Sequence, residues 1–182
     1  MPERSDDEVR VRPERSGDHD AIAAVVAAAF GSALEAELVA AIRASPEYVP
    51  ELALVAEVGG EVVGHVMVSW TGLRDGVVTH PIQHLSPLAV APANQRQGIG
   101  GALVTAVTAA ARERGAPFVI LEGAPAYYSR FGFESSVAHG ITMSLPAWAP
   151  PEAAQILLLN GAPPSVRGHV VHPPAFAAFV DH

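Results

Sequence analysis

Residues 95–101 read Gln95-Arg96-Gln97-Gly98-Ile99-Gly100-Gly101, a polar turn that runs into closely spaced glycines. Behind it the apolar stripe Ile99, Leu103, Ala106, Val107 and Ala110 predicts a helix from Gly98 to Arg114, stopped by Gly115 and Pro117. Ahead of it lies an apolar, β-rich run that ends at Pro92. The first turn of a helix leaves backbone N–H groups unpaired, and the helix dipole makes that end partly positive. Glycine removes the side chains that would hold a diphosphate at a distance. Arg96 is the only Arg, Asp or Glu between Asp75 and Arg112, and it sits beside this turn. The chemistry indicated is phosphate or pyrophosphate binding. Glycines also allow close helix–strand packing without a ligand, but each lowers helix propensity by about 1 kcal/mol.

Other phosphate chemistries fit poorly. A dinucleotide fingerprint needs glycine at 98, 100 and 103, and position 103 is Leu. It also belongs after the first strand of its unit, whereas about four strands precede this turn. Glu122 stands near the distance of the usual ribose-binding acid but does not replace the missing glycine. Lysine is absent, so a Walker phosphate loop is excluded. There is no G-x-S-x-G serine elbow, no cysteine, and no H-E-x-x-H, so no metal site is expected from the eight histidines. The groups that remain for proton transfer are His84, Ser86, Glu122, Glu35, Glu37 and His65, with no motif selecting among them.

The elements that must position these residues follow from periodicity. Val9 and Val11 alternate with arginines as a first strand. Gly17-Asp18-His19-Asp20 opens a helix carrying Ile22, Val25, Val26, Ala29 and Phe30, and Gly31-Ser32 breaks it before a second with Leu34, Leu38, Ala41 and Ile42. Leu52–Val58 and Val62–Trp70 flank Gly59-Gly60 as a hairpin, and Arg74-Asp75-Gly76 leads back into Ile82–Val90. Phe118–Leu121 is a short strand, and Pro125–Arg130 a short helix ended by Gly132-Phe133. Residues 146–182 hold seven of the 16 prolines around one apolar run, Ile156–Leu159, which predicts a single strand in irregular connections. The expected fold class is α/β (α+β): a mixed, mostly antiparallel sheet flanked by helices, in the order β-α-α-β-β-β-α-β-α-β plus the C-terminal strand. Residues 1–182 are expected to form one domain, with a core over 8–145 and an extension over 146–182 packed on it.

Composition narrows the partners. A formal net charge of -8 argues against nonspecific binding to nucleic acid or to an anionic membrane, and leans toward a cationic substrate. No apolar run reaches the roughly 18 residues that a membrane span needs, and the polar start Met1–Glu8 is unlike a secretory signal. A cytoplasmic location is expected. The apolar tail is a candidate homodimer surface.

Two motifs now combine. Gln95-x-x-Gly98-x-Gly100 resembles the Q/R-x-x-G-x-G/A signature of the GCN5-related N-acetyltransferase (GNAT) superfamily. About 30 residues on, Pro125-Ala126-Tyr127-Tyr128-Ser129-Arg130-Phe131-Gly132-Phe133 resembles that superfamily's Y-Y-x-x-x-G-F, in the form P-A-Y-Y-x-R-F-G-F found in a subgroup of bacterial acetyltransferases. Leu85–Pro92 is similar to the family's fourth strand.

The resemblance implies a single GNAT-type domain that uses acetyl-CoA as co-substrate to acetylate a primary amine, of a small molecule or a peptide, by direct attack on the thioester. It assigns the pyrophosphate to amides around Arg96, Gln97, Gly98, Gly100 and Gly101, pantetheine to the backbone at Leu88 and Val90, and counts Gln95 among the cofactor-binding residues. It assigns the oxyanion contact to the Leu88 N–H and the general acid to Tyr128, with Tyr127 as the alternative. Glu122 or His84 remains as the base. Arg130 either assists CoA or caps its helix. Two other readings keep the same fold: a catalytically silent CoA-binding module acting through a partner, and transfer of a longer acyl group.

Overall fold

The β-branched runs on either side of Gly59-Gly60 pair with one another and extend into one sheet. The computed structural model describes residues 8–177 and 179. The polar start at residues 1–7, and residues 178 and 180–182 of the extension, lie outside the described residues. Strands β1 (Arg10–Pro13), β2 (Ala53–Val58), β3 (Glu61–Asp75) and β4 (Val78–Val90) join antiparallel in chain order. Helices α1 (His19–Phe30) and α2 (Leu34–Arg43) lie between β1 and β2, and α3 (Ile99–Glu113) follows β4. Strand β5 (Phe118–Glu122) pairs parallel with β4, and α4 (Pro125–Tyr128) continues into a 3-10 turn over Ser129–Phe131.

Short strands β6 (Glu134–Ser135) and β7 (Ile141–Thr142) precede β8 (Ala154–Leu158), β9 (Gly168–Val171) and α5 (Pro174–Ala177). The mixed, mostly antiparallel sheet of the sequence reading is therefore observed. The extension differs from its expectation of one strand. Besides β8, which pairs with β5, it supplies β9, bonded to β3 and β7, and then α5. Four residues between Arg167 and His172 carry too little periodicity to be read as a strand; their pairing comes from partners far away in the chain.

The sheet's two faces bury separate clusters. Ile99, Leu103, Val104 and Val107 of α3 pack with Val66, Leu85 and Leu121 on one face. Ile22 and Val26 of α1, Val39 and Ile42 of α2, and Phe176 of α5 pack with Val55, Met67 and Ala89 on the other. Each helix covers a sheet face with its apolar stripe, as amphipathic helices must.

A polar anchor crosses the second face. The Glu14 side chain is 1 % exposed and accepts hydrogen bonds from Arg43 Nε (2.7 Å), Tyr48 Oη (2.8 Å) and His65 Nε2 (2.9 Å). Burial alone would push the Glu14 carboxyl up, but the bonds from His65, Arg43 and Tyr48 outweigh it and hold it far below the usual carboxylate range. Burial dominates at His65, whose pKa is lowered despite Glu14. A neutral His65 donates through Nε2, so the ion pair is Glu14 with Arg43. His65 is thereby engaged in tying the β1–α1 loop to β3 and α2, and it does not line the cavities described below.

Replacing Glu14 with Ala strands a guanidinium in a mostly buried setting. The expected loss is about 3–5 kcal/mol of unfolding free energy, read by urea denaturation. A loss below about 1 kcal/mol would show that the anchor contributes little.

Candidate active site

The site begins where two strands part. Among the described residues, strands β4 and β5 pair only at Gln83–Val119 and His84–Ile120, and beyond these β4 runs on without a neighbouring strand on that side. Pairing with β3 advances two residues from Val66 to Val68 while β4 advances three from Leu88 to Leu85, so β4 carries an extra residue at Ser86-Pro87. This is a β-bulge, which re-aims a strand. Pro87, which cannot donate to the ladder, stands in it.

The direction of the β4 amides follows from one hydrogen bond. Ala91 N–H donates to Val63 O of the loop side of β3 at 2.8 Å. Backbone groups alternate along a strand, so Ala89 also faces β3, while the N–H groups of Leu88 and Val90 face the open side. Gln95 Nε2 donates to Val90 O at 3.0 Å, from that open side.

The turn after β4 adds a cluster of main-chain N–H groups at the end of that open side. Arg96 (φ 62°) and Gly98 (φ 82°) both adopt the left-handed region, a conformation easy for glycine and uncommon for arginine. The helix-opening bond runs from Ala102 N–H to Gly98 O, so the N–H groups of Ile99, Gly100 and Gly101 have no backbone acceptor among the described residues. At Gly100 a Cβ would lie 2.5 Å from Tyr127 Oη. Tyr127 therefore stands over the glycine turn. Arg130 Cζ sits 4.6 Å from the Tyr127 ring centroid, while Arg130 Nε donates to Tyr127 O at 3.2 Å. Both roles entertained for Arg130 are compatible with this position: it caps α4 and it lines the cavity.

Two cavities meet at Leu88. One, about 720 Å³, is lined by Leu88, Val90, Gln95, Arg96, Gly98, Gly100, Gly101, Tyr127 and Arg130. Gln97 is turned away from its lining, and its Nε2 reaches back to Ala93 O at 3.4 Å. The other, about 790 Å³, is bordered by Glu35 and Leu38 of α2, by His84–Leu88 of β4, by Glu122 and Tyr128, and by Trp148, His172 and Phe176. Adjacent tyrosines of α4 thus serve different cavities, their rings edge to face at 4.9 Å. Both cavities are of the size that small molecules fill.

Electrostatics separates the titratable groups. Burial, with Tyr127 beside it, pushes the Tyr128 phenol up to about 12, so it stays protonated near neutrality. Partial burial also raises Glu122, which is solvent-exposed at the cavity edge. His84 is 6 % exposed, and burial followed by His172 lowers its pKa to about 3. His84 and His172 lie 5.4 Å apart, and Phe176 stacks on His172 at 5.1 Å.

Of the proton-transfer candidates in the sequence, His84, Ser86, Glu35 and Glu122 share this cavity, whereas Glu37 and His65 do not line it. His172, Phe176 and Trp148 were not singled out from the sequence as cavity residues. The β9 pairing with β3 is what carries His172 to His84 of β4. Among the described residues no cluster of three or more metal-binding side chains occurs, and no helix is long and apolar enough to cross a membrane.

Comparison with known proteins gives a consistent match. Residues 10–136 match the family described as an acetyltransferase (GNAT) domain. A protein named uncharacterized N-acetyltransferase YjhQ, from Escherichia coli (strain K12), is 37% identical over 107 residues, which are 58% of this chain and 59% of the relative. The match thus spans about three-fifths of that relative. The GNAT family N-acetyltransferase YhbS of Escherichia coli, solved in complex with CoA, superposes with a TM-score of 0.81 at 30% identity, covering 95% of this chain and 94% of that one. A GNAT family acetyltransferase from Brucella melitensis, solved with acetyl-CoA, gives 0.74 at 32% identity over 93% and 98%.

The neutral buried histidine has a consequence for stability. A group whose folded pKa lies below its unfolded value favours the unfolded chain once pH falls below the unfolded value. His84 should therefore remove about 1.4 kcal/mol of stability per pH unit as pH drops from 6.5 toward 3. Urea denaturation across that range should show a shallower decline in the His84→Gln chain than in the wild type. Parallel declines would contradict this assignment.

Proposed function

Since the chain belongs to the GNAT family of acetyltransferases, we propose that it moves an acetyl group from acetyl-CoA to a primary amine by direct attack on the thioester. The observation that most supports this reading is the continuous line from the glycine turn, along the open side of β4, to Tyr128. The unpaired N–H groups of Ile99, Gly100 and Gly101 suit a pyrophosphate. The free N–H groups of Leu88 and Val90 suit an extended pantetheine amide chain, bonded as an added strand would be. Arg96 and Arg130 line the same cavity and supply positive charge to phosphate. Acetyl-CoA, when bound, supplies the acetyl group in activated form as a thioester.

The chain's residues then divide the work. The Leu88 N–H faces the point where negative charge develops on the thioester oxygen, a contact that gains strength in the transition state. Tyr128 donates its phenolic proton to the departing sulfur, for which a group protonated up to about pH 12 is well suited. The amine needs help at the other end, because an alkylamine with pKa near 10.4 is only about 0.1% neutral at pH 7.4. Glu122 accepts the amine proton, directly or through water, as the C–N bond forms and the C–S bond breaks. Its raised pKa brings it toward the working pH, whereas His84, at about 3, is too weak a base for the task.

Tyr128→Phe should lower the rate of CoA release by about 10²–10⁴-fold, with acetyl-CoA affinity by calorimetry changed little. An unchanged rate, with the chemical step shown to be limiting, would remove Tyr128 from the mechanism.

A further inference from the structure

The larger cavity is bordered by polar side-chain atoms without partners and, among the described residues, by no arginine. Three of its side-chain atoms, Glu35 Oε2, His84 Nδ1 and His172 Nδ1, are buried with no hydrogen-bond partner among the described residues. The His84 side chain itself is almost wholly buried and borders the cavity. A buried polar atom left unpaired costs free energy, and an ionised one costs more. The Glu35 oxygen calls for a donor, and each neutral imidazole can donate or accept at Nδ1 according to its tautomer.

The donor must carry positive charge. No arginine lines the cavity among the described residues, and lysine does not occur in the chain. The two carboxylates come from different elements: Glu122 at the end of β5 beside Tyr128, and Glu35 in the first turn of α2. Both neighbouring imidazoles are held neutral, chiefly by burial, so neither balances those charges. Trp148, 83 % exposed, offers an aromatic face at the cavity edge, a surface that attracts cations.

Resting on the acyl-transfer reading above, we propose that the acceptor is a small alkyl diamine or polyamine: one nitrogen reacts beside Glu122 and Tyr128, and a second, charged nitrogen is held by Glu35. A monoamine leaves Glu35 unpaired. An acceptor bearing a carboxylate meets like charge there, which disfavours amino acids.

Three probes of equal chain length separate these cases: 1,4-diaminobutane, butylamine and 4-aminobutanoate, each titrated calorimetrically into the full chain with and without CoA. Diaminobutane should bind at least tenfold more tightly than butylamine, and 4-aminobutanoate more weakly than either. Glu35→Gln should erase most of the diamine preference while leaving acetyl-CoA affinity and the melting temperature near wild type; Glu35→Ala is the second variant should the first unfold. Equal affinities for diamine and monoamine, or a preference that survives both variants, would overturn the proposal. Diamine binding that follows the expected order while acetyl-CoA fails to bind would support this assignment and sink the transfer reading instead.

Discussion

Two parallel strands that pair for two residues and then separate leave a row of main-chain donors with nothing to bond. In β4 that row is the N–H groups of Leu88 and Val90, facing the space that β5 vacates after Ile120. Buried or semi-buried donors need partners, and the divergence is held open on both sides. On one side the bulge at Ser86-Pro87 turns β4. On the other, β8 pairs along the whole of β5, from Phe118–Leu158 to Glu122–Ala154, and keeps it from swinging back. The site is thus a consequence of sheet pairing elsewhere, and the C-terminal extension takes part in it.

The remaining architecture keeps that opening in register with the side chains around it. Helix α3 sits on the sheet through Ile99, Leu103 and Val107, so its N-terminal amides stay at the end of β4. Helix α4 hangs from the end of β5, and its two tyrosines line one cavity each. The Tyr128 ring lies against the backbone at Gly123, where a Cβ would collide with it. On the opposite face, the Glu14–Arg43 pair with His65 and Tyr48 fixes α2 against β3. That matters to the site because α2 carries Glu35 to the edge of the larger cavity.

How much of this was written locally in the chain depends on the range of the interaction. The glycine turn at 98–101, the hairpin at Gly59-Gly60 and the apolar stripe of α3 are properties of neighbouring residues, and each appears as its pattern implies. The pair of motifs around Gly98 and Tyr128 made the family legible as well. The bulge in β4 was hinted at only by Pro87. The far wall of the larger cavity was not legible: His172 and Phe176 reach it through β9, a four-residue strand specified by its partners Gly72–Arg74 nearly a hundred residues earlier. Nor could spacing say that His65, equal to His84 as a candidate in the sequence, is taken up by Glu14.

The central claim is that the open side of β4 and the glycine turn together hold the pantetheine and pyrophosphate of CoA. Amide-resolved NMR during titration with acetyl-CoA reads this directly. Saturable shifts should appear at Leu88, Val90, Gly98, Gly100 and Gly101, with Ala89, which faces β3, moving much less. Saturation with those amides unmoved, or no saturation at millimolar acetyl-CoA, would contradict it.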